Sequence, residues 1–548
     1  MSSPVFASTK KRSVSLWSDR TVVLLVIVTL LGVAGILLGP GGVFFSQWSQ
    51  DLFIPLEGVL HIRAGQWPHR DFQTPVGSLW YVINALPGLI MPVSARTTVV
   101  ANLIVALIAA VAALAVCLGR MPRWLAGLAA FYIGLVALSP RQIGESYVHI
   151  SNNATYNRYC WALIGVIALA ALLPAPGRRR DATDGVIAGL LIAVCFYIKV
   201  TYAAAGIGFL GLTLFTVRRF AGWRFAVAAA VFALVAILGV GLATGDLPGY
   251  FADMHTAVVV LPDAVRPDAA RFLLWQGLAG LVFSVLLALI AGARPTQMFT
   301  LRNTGVWAGP LTAAAGIAIS LQNHPEPENP LLAVGLLVSW LALRARQAGP
   351  FRFPDALGLV AVTIGFLAPI TADLAAVRQT LVAPVDAGPA TRWLVQTHVP
   401  DLRIGTVYTA APAPPTDAIP VTDLQIWAVW DEATRLLRPH LRGRHDVVVL
   451  PFTWSNPFPL LLDLPPVRHE AAWWDPLRTF NPTHRPDPDL LLGPVDFVMI
   501  PHDPTPDDAP AVMWASYGAQ VQRDFQPVGH SRYWDLWARK TCAGRSLC

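Results

Sequence analysis

The chain has 548 residues, a formal net charge of +7 and only 13% Asp, Glu, Lys and Arg, while 55% of its residues are hydrophobic and its mean hydropathy is +0.53. Ordinary globular chains carry about 25% charged residues, so this composition excludes a soluble globular protein. The basic residues sit in short clusters between apolar runs, which points to membrane topology and away from nucleic acid.

The first apolar run, Thr21 to Pro40, follows Lys10, Lys11, Arg12 and Arg20. Its length and the lack of a small-x-small cleavage site favour a retained helix over a signal peptide. A loop, 41–96, comes next. Its last part, Ser78 to Val93, is apolar but broken by Pro87 and Pro92, and reads as a helix lying at the membrane surface. Further spans are predicted at 97–118, 124–139, 158–175, 184–199, 202–217, 225–243, 272–292, 304–321, 330–343 and 355–372. The runs show no alternation, so they are helices and not barrel strands. With eleven spans in all, Arg120 and Arg123, Arg178 to Arg180, Arg218, Arg219 and Arg224, Arg294 and Arg302, and Arg344, Arg346 and Arg352 share the cytoplasmic side with the N-terminus. Counting Ser78–Val93 as a span would put Arg178 to Arg180 outside. The expected fold is a polytopic α-helical membrane protein of about 11 transmembrane helices.

Past Asp373 the apolar runs shorten and Pro, Asp, Trp and His become common. Val447–Pro451 and Asp496–Pro501 read as buried strands, and Asp431–Leu437 as helix. The expectation is a transmembrane domain, 1–372, followed by an extracytoplasmic C-terminal α/β domain, 373–548. No phosphate-binding glycine pattern follows either strand, so no nucleotide is assigned. Cys117, Cys160 and Cys195 fall in apolar spans as packing residues. Cys542 and Cys548 can close a small disulfide loop if that end lies outside the cytoplasm.

Chemistry concentrates in the first outer loop, which holds Asp51, Glu57 and Asp71. One acid near a helix end is usually only solvated. The group is harder to dismiss, because Gly65, Pro68, Pro75 and Gly77 force a tight path while Trp67, Phe72, Trp80 and Tyr81 anchor it at the interface. A second polar loop, 140–157, carries Glu145, His149, Asn152, Asn153 and Tyr156. Some of these line a cavity and some cap the next helix. Asn153-Ala154-Thr155 also matches a glycosylation sequon, a pattern common by chance. Lys199 arrives at the outer end of its span, where a lysine either snorkels to water or meets an anion. His255 and His324 lie in outer loops, and Glu326 and Glu328 alternate with prolines in an ordered rim.

This loop resembles that of the GT-C superfamily of membrane glycosyltransferases. In bacterial members an acid soon after helix one is followed by a Gly-x-x-Pro-aromatic-Arg-Asp-Phe-x-x-Pro-x-Gly segment. Asp51 takes the first place; Gly65, Pro68, Arg70, Asp71, Phe72, Pro75 and Gly77 take the second. Trp80-Tyr81 is similar to a pair in aminoarabinose transferases and protein O-mannosyltransferases. Leu52 follows Asp51 where many relatives have a second acid, and His69 stands where an aromatic is usual.

The resemblance implies an inverting glycosyltransferase. It would move a sugar from a polyprenyl-phosphate donor to a hydroxyl on a lipid, glycan or protein, at the outer face of a bacterial inner membrane. Asp51 is the implied base, with Asp71 the second catalytic candidate. Lys199, in Ile198-Lys199-Val200-Thr201, is similar to a lysine that binds carrier phosphate; Arg63, Arg70, Arg158 and Arg266 are the other cations. Glu57, His149, Asn153 and Tyr156 join the candidate substrate-binding residues. A divalent metal ion is a candidate cofactor, with Asp71, His255 and His324 as ligands. The runner-up is a transporter or flippase of lipid-linked saccharides, and a third reading is an O-antigen-type polymerase or ligase. Acids gathered on one face, and no visible inverted repeat, favour the enzyme over the transporter. Large outer loops with arginines would favour the polymerase.

Overall fold

Ser18 starts the first helix: its Oγ accepts the Thr21 N–H, and Asp19 puts negative charge on the positive end of the dipole. Helix α1 then runs Asp19–Leu37. The computed structural model describes residues 18–39, 42–152, 154–173, 177–214, 223–260, 304–320, 328–346, 353–382, 401–404, 423–476, 478–502 and 508–540. After β1 (Val43–Phe45), a 3-10 turn (Ser49–Leu52) leads into α2 (Phe53–Arg63), and α3 is Ser78–Ala85. The long helices follow: α4 (Ala95–Cys117), α5 (Arg123–Leu138), α6 (Thr155–Leu172), α7 (Arg178–Ile198), α8 (Val200–Thr213) and α9 (Trp223–Thr244). Then come α10 (Leu247–Val260), α11 (Thr304–Ser320), α12 (Leu331–Arg346) and α13 (Phe353–Val382).

Among the described residues, six helices are long and apolar enough to cross a membrane: α1, α4, α6, α7, α9 and α13. The shorter apolar helices α5, α8, α11 and α12 complete the set. Together they coincide with the predicted spans except 272–292, which lies outside the described residues. This is a multi-pass helical arrangement. The segment after Ser78 stays short, as expected: α3 has 8 residues and passes into a second 3-10 turn, Leu86–Leu89.

Three elements differ from the sequence reading. Helix α2 forms inside the charged loop, because Pro55 falls in its first turn, where a missing N–H costs no helical bond. Helix α10 forms in the stretch read as a loop after α9. Helix α13 continues past Asp373 to Val382, so Asp373 is buried within a helix instead of ending one. Ser139 Oγ and Arg141 Nε donate to its Oδ1 at 2.9 and 2.7 Å, which is how a carboxylate sits there.

Helix α6 is the centre of the bundle, with 94% of its apolar window buried against 22% for α9. Helices α7 and α9 cross closely because Gly185 and Gly189, one turn apart, meet the backbone carbonyls of Phe225 and Ala229. A side chain at either position would push the two helices apart.

The C-terminal segment is α/β. Strand β2 (Leu402–Ile404) pairs in parallel with β1, tying this segment to the exit of α1. Helix α14 (Asp423–Leu441) lays Trp427 and Trp430 on Phe53 of α2, with ring centroids 5.7 and 4.9 Å away. Such aromatic pairs add roughly 0.5–1.5 kcal/mol beyond area burial. Beyond it lie β3 (Val449–Pro451), α15 (Phe458–Leu462), α16 (Pro488–Leu492), β4 (Phe497–Pro501), α17 (Ala509–Asp524), β5 (Phe525–His530) and β6 (Trp534–Arg539). The sheet order is β3-β4-β6-β5, with β3 and β4 parallel and the other pairs antiparallel. Leu450, Val498, Met513, Tyr517 and Phe525 pack together on one side of it. The predicted strands become β3 and β4, and the predicted helix lies within α14. Cys117, Cys160 and Cys195 are buried; Cys542 and Cys548 lie outside the described residues.

Candidate active site

The Arg70-Asp71-Phe72 segment is a tight turn held from three sides. His69 adopts φ 66°, and its N–H donates to Phe72 O at 2.9 Å. The ring pays for this left-handed backbone by placing Nδ1 2.7 Å from Asp253 Oδ2 on α10. That carboxylate also accepts the Thr74 N–H at 3.0 Å. Asp246, at the α9–α10 corner, accepts from Ser78 Oγ at 2.8 Å and Trp67 Nε1 at 3.3 Å. From the C-terminal segment, His469 N donates to Asp71 O at 2.6 Å and Gln73 N to Glu470 O at 2.9 Å.

Asp71 is the latch of this turn. Its Oδ2 accepts the Trp67 N–H at 2.7 Å and Arg70 Nε and Nη2 at 3.0 and 2.8 Å; Arg468 Nη2 reaches Oδ1 at 3.3 Å. Desolvation pushes the carboxyl up, but the Trp67 N–H and the Arg70 guanidinium outweigh it and hold Asp71 below its ordinary range.

The turn continues to the phosphate candidate. Gly77 N donates to Ile198 O at 2.8 Å, and a side chain at Gly77 would collide with the Tyr197 carbonyl. Lys199 is the next residue, at the corner between α7 and α8. Its ammonium is buried and donates to Asn157 Oδ1 at 2.9 Å. The rings of Tyr156 and Tyr202 lie 5.0 and 5.8 Å from Nζ. Trp80 stands at 5.3 Å from the Tyr156 ring, with Nε1 donating to Thr155 Oγ1 at 2.8 Å. Arg158, next along α6, is buried, and none of its guanidinium nitrogens has a hydrogen-bond partner among the described residues.

Asp51 is half-buried in the 3-10 turn before α2. The C-terminal segment fixes that turn: Trp427 Nε1 donates to Ser49 Oγ at 2.8 Å and Ser455 Oγ to Gln50 O at 3.3 Å. The second polar loop closes over the same region. Ser46 Oγ donates to Val148 O at 2.7 Å and accepts the Ile150 N–H at 2.8 Å. His149 is half-exposed, its Nδ1 2.7 Å from Glu145 Oε2. Arg141 anchors this loop through Asp373, Glu328 Oε2 at 2.8 Å and Glu145 O at 2.9 Å.

Glu57 sits elsewhere than expected, fully buried on α2 and facing His61 and Glu470. Burial first, and the Glu470 carboxylate second, push Glu57 well above the ordinary carboxylate range. Of the candidate metal ligands, Asp71 has both oxygens engaged by donors and His255 is exposed on α10. Asn153, Arg266 and His324 lie outside the described residues. Among the described residues, the groups with ligand atoms suited to an ion are Glu57, His61 and Glu470, and His502, His530 and Asp535.

Sequence reasoning passed over Asn157, Asp246, Asp253, Arg141, His61 and Glu470. Only His61 had a local signal, since it follows Glu57 by one helical turn on the same face.

No family model matches the sequence, and no curated protein matches it. The chain is similar to ArnT. The structure of ArnT from Cupriavidus metallidurans bound to undecaprenyl phosphate is 10% identical over 94% of this chain and 97% of that one, with a TM-score of 0.48. The apo state of ArnT from the same organism gives 12% identity, the same 94% and 97% coverage, and a TM-score of 0.42. The archaeal oligosaccharyltransferase AglB from Archaeoglobus fulgidus, in complex with an inhibitory peptide and a dolichol-phosphate, is 12% identical over 88% of this chain and 70% of its own, with a TM-score of 0.33.

Proposed function

We propose that this protein is an inverting glycosyltransferase of the GT-C type, transferring a sugar from a polyprenyl-phosphate donor to an acceptor hydroxyl at the outer face of a bacterial inner membrane. One observation carries the reading: the hydrogen bond from Gly77 to Ile198 brings the acid-bearing loop to the corner that holds Lys199. The cation and the loop therefore share one end of the bundle, as transfer from a lipid phosphate requires.

Asp51 is the base. It takes the acceptor's hydroxyl proton as that oxygen attacks the anomeric carbon from the side opposite the phosphate. The bond from that carbon to the phosphate oxygen breaks, the configuration inverts, and the phosphate leaves with the electron pair. Lys199, oriented by Asn157, stabilises the charge that builds there. Tyr156 and Trp80 wall the corner, and Arg158 offers unspent donors nearby along α6. Asp71 and Arg70 hold the loop in shape. In this reading the N-terminus is cytoplasmic, residues 1–372 make the transmembrane part with α13 running on to Val382, and residues 373–548 lie outside.

The test is incubation of the purified protein with radiolabelled polyprenyl-phosphate sugars, with and without chelator, followed by a search for label in lipid, glycan or protein. Transfer that Asp51→Asn abolishes supports the reading. Label that crosses the bilayer while staying on its carrier indicates a flippase, and full turnover by Asp51→Asn removes that residue from the role.

A further inference from the structure

Glu57, His61 and Glu470 converge where α2 meets the C-terminal segment, and nothing in the glycosyl-transfer reading uses them. Their relative exposures are 3%, 0% and 1%. The ligand-capable atoms of all three lie within 4.8 Å of one another.

Hydrogen bonds fix which atoms face inward. Gln66 Nε2 donates to Pro466 O at 3.2 Å, so its Oε1 is the atom turned to His61 Nδ1, 2.6 Å away. Nδ1 therefore carries a proton, and Nε2 is the ring nitrogen turned to Glu470 Oε1, 3.2 Å away. Glu57 adds its carboxylate from one turn earlier on the helix; Oε2 accepts the Asn456 N–H at 3.3 Å. Glu57 Oε1, both oxygens of Glu470 and His61 Nε2 have no hydrogen-bond partner among the described residues. Acceptors facing acceptors in a sealed site are costly unless something positive lies between them. Zinc with ligand bonds near 2.0–2.1 Å sets neighbouring ligand atoms roughly 3.3 Å apart in a tetrahedron, close to the spacing of the imidazole and Glu470. The Gln66–imidazole contact is the outer-shell partner that orients a metal-bound histidine.

We propose that Glu57, His61 and Glu470 bind one divalent transition-metal ion, of the zinc class, that clamps α2 to the C-terminal segment. Two carboxylates and an imidazole suit such an ion better than calcium or magnesium, which favour all-oxygen ligand sets. Because the ligands come from both ends of the chain, the ion would hold the outer loop, and with it the turn of Asp51, against its cover.

The full-length protein in detergent is stripped with chelator, reloaded with Zn2+ or Co2+, passed over a desalting column and assayed for metal and for melting temperature. The expected result is about one ion per chain, d–d bands of low-symmetry Co2+, and a higher Tm with metal. Glu470→Gln and His61→Gln lose both the ion and the bands. A His502→Ala/His530→Ala variant, which removes the exposed group, keeps them. No retained metal in the reloaded wild type overturns the proposal and leaves a proton shared between Glu57 and Glu470. Retention by both ligand variants, or loss only in the His502/His530 variant, overturns it as well. Should a ligand variant fail to fold, the metal content of the reloaded wild type and of the His502/His530 variant still decides, since no retained ion is incompatible with the site.

Discussion

Asp71 and Glu57 are acids of one loop, and the fold gives them opposite surroundings. Asp71 faces only donors: a backbone N–H and two guanidinium groups. Glu57 faces a second carboxylate in a closed site. Both oxygens of Asp71 meet donors and its carboxyl is held low, while Glu57 is buried beside a second carboxylate. Asp51, half-buried in its own turn, is the base in our proposal. Asp51→Asn should therefore lower kcat by about 10²–10⁴-fold, the usual weight of a positioned base, with little change in donor KM. Initial rates on labelled donor check this. An Asp71→Asn enzyme slower than Asp51→Asn at equal folded fraction would break the assignment.

The cation side gives the next largest effect. Lys199→Gln keeps a polar group near Asn157 but removes the charge. We expect about 10²–10³-fold lower kcat/KM, the scale seen when one preorganised stabiliser of developing charge is lost. Donor KM should rise with it, because the same ammonium meets the phosphate in the ground state. If only kcat falls, Lys199 acts on the departing phosphate alone.

The contrast also shows what a linear sequence discloses. Apolar runs report spans well, because a helix in lipid must satisfy its own backbone whatever its neighbours. Loop acids are another matter. Asp71 and Glu57 look alike in sequence. Trp67 and Arg70 lower Asp71 from nearby, with Arg468 adding to them, while burial and Glu470 raise Glu57. No local pattern announces Arg468 or Glu470. Lys199 stands out in the sequence as a charge at the end of an apolar run, whereas its hydrogen-bond partner Asn157 is one polar residue among several. Asp373 misled for the same reason: a carboxylate after an apolar run looks like an exit from the membrane, and Ser139 and Arg141 let it sit inside α13.

Stability sharpens the comparison further. Asp71→Asn keeps the shape but leaves the Trp67 N–H and two arginines facing a weaker acceptor. Loss of charge-assisted hydrogen bonds should cost about 1–3 kcal/mol at neutral pH. The folded protein holds Asp71 below the ordinary 3.8, so its contribution is fully present above that pH and is lost as the pH falls through the lowered value. The gap between wild type and Asp71→Asn in thermal unfolding should therefore be constant above pH 3.8 and narrow below it. A gap that widens on acidification would mean that the carboxyl is protonated in the fold.

Arg70→Ala should have the smallest effect, and it separates the parts of the latch. The Arg70 side chain is 57% exposed, so water and salt screen its 2.8 Å pair with Asp71. Exposed pairs contribute roughly 0–1 kcal/mol. The Trp67 N–H at 2.7 Å and Arg468 at 3.3 Å stay in place when Arg70 is removed. Arg70→Ala should then fall within that range, and the difference from wild type should shrink in high salt. The backbone N–H is shielded in a way the guanidinium groups are not, so its share of the latch should survive salt. If Arg70→Ala instead destabilises as much as Asp71→Asn, the guanidinium carries the turn and the backbone bond is secondary. The segment would then depend on an exposed ion pair, and transfer rates should fall with ionic strength alongside stability.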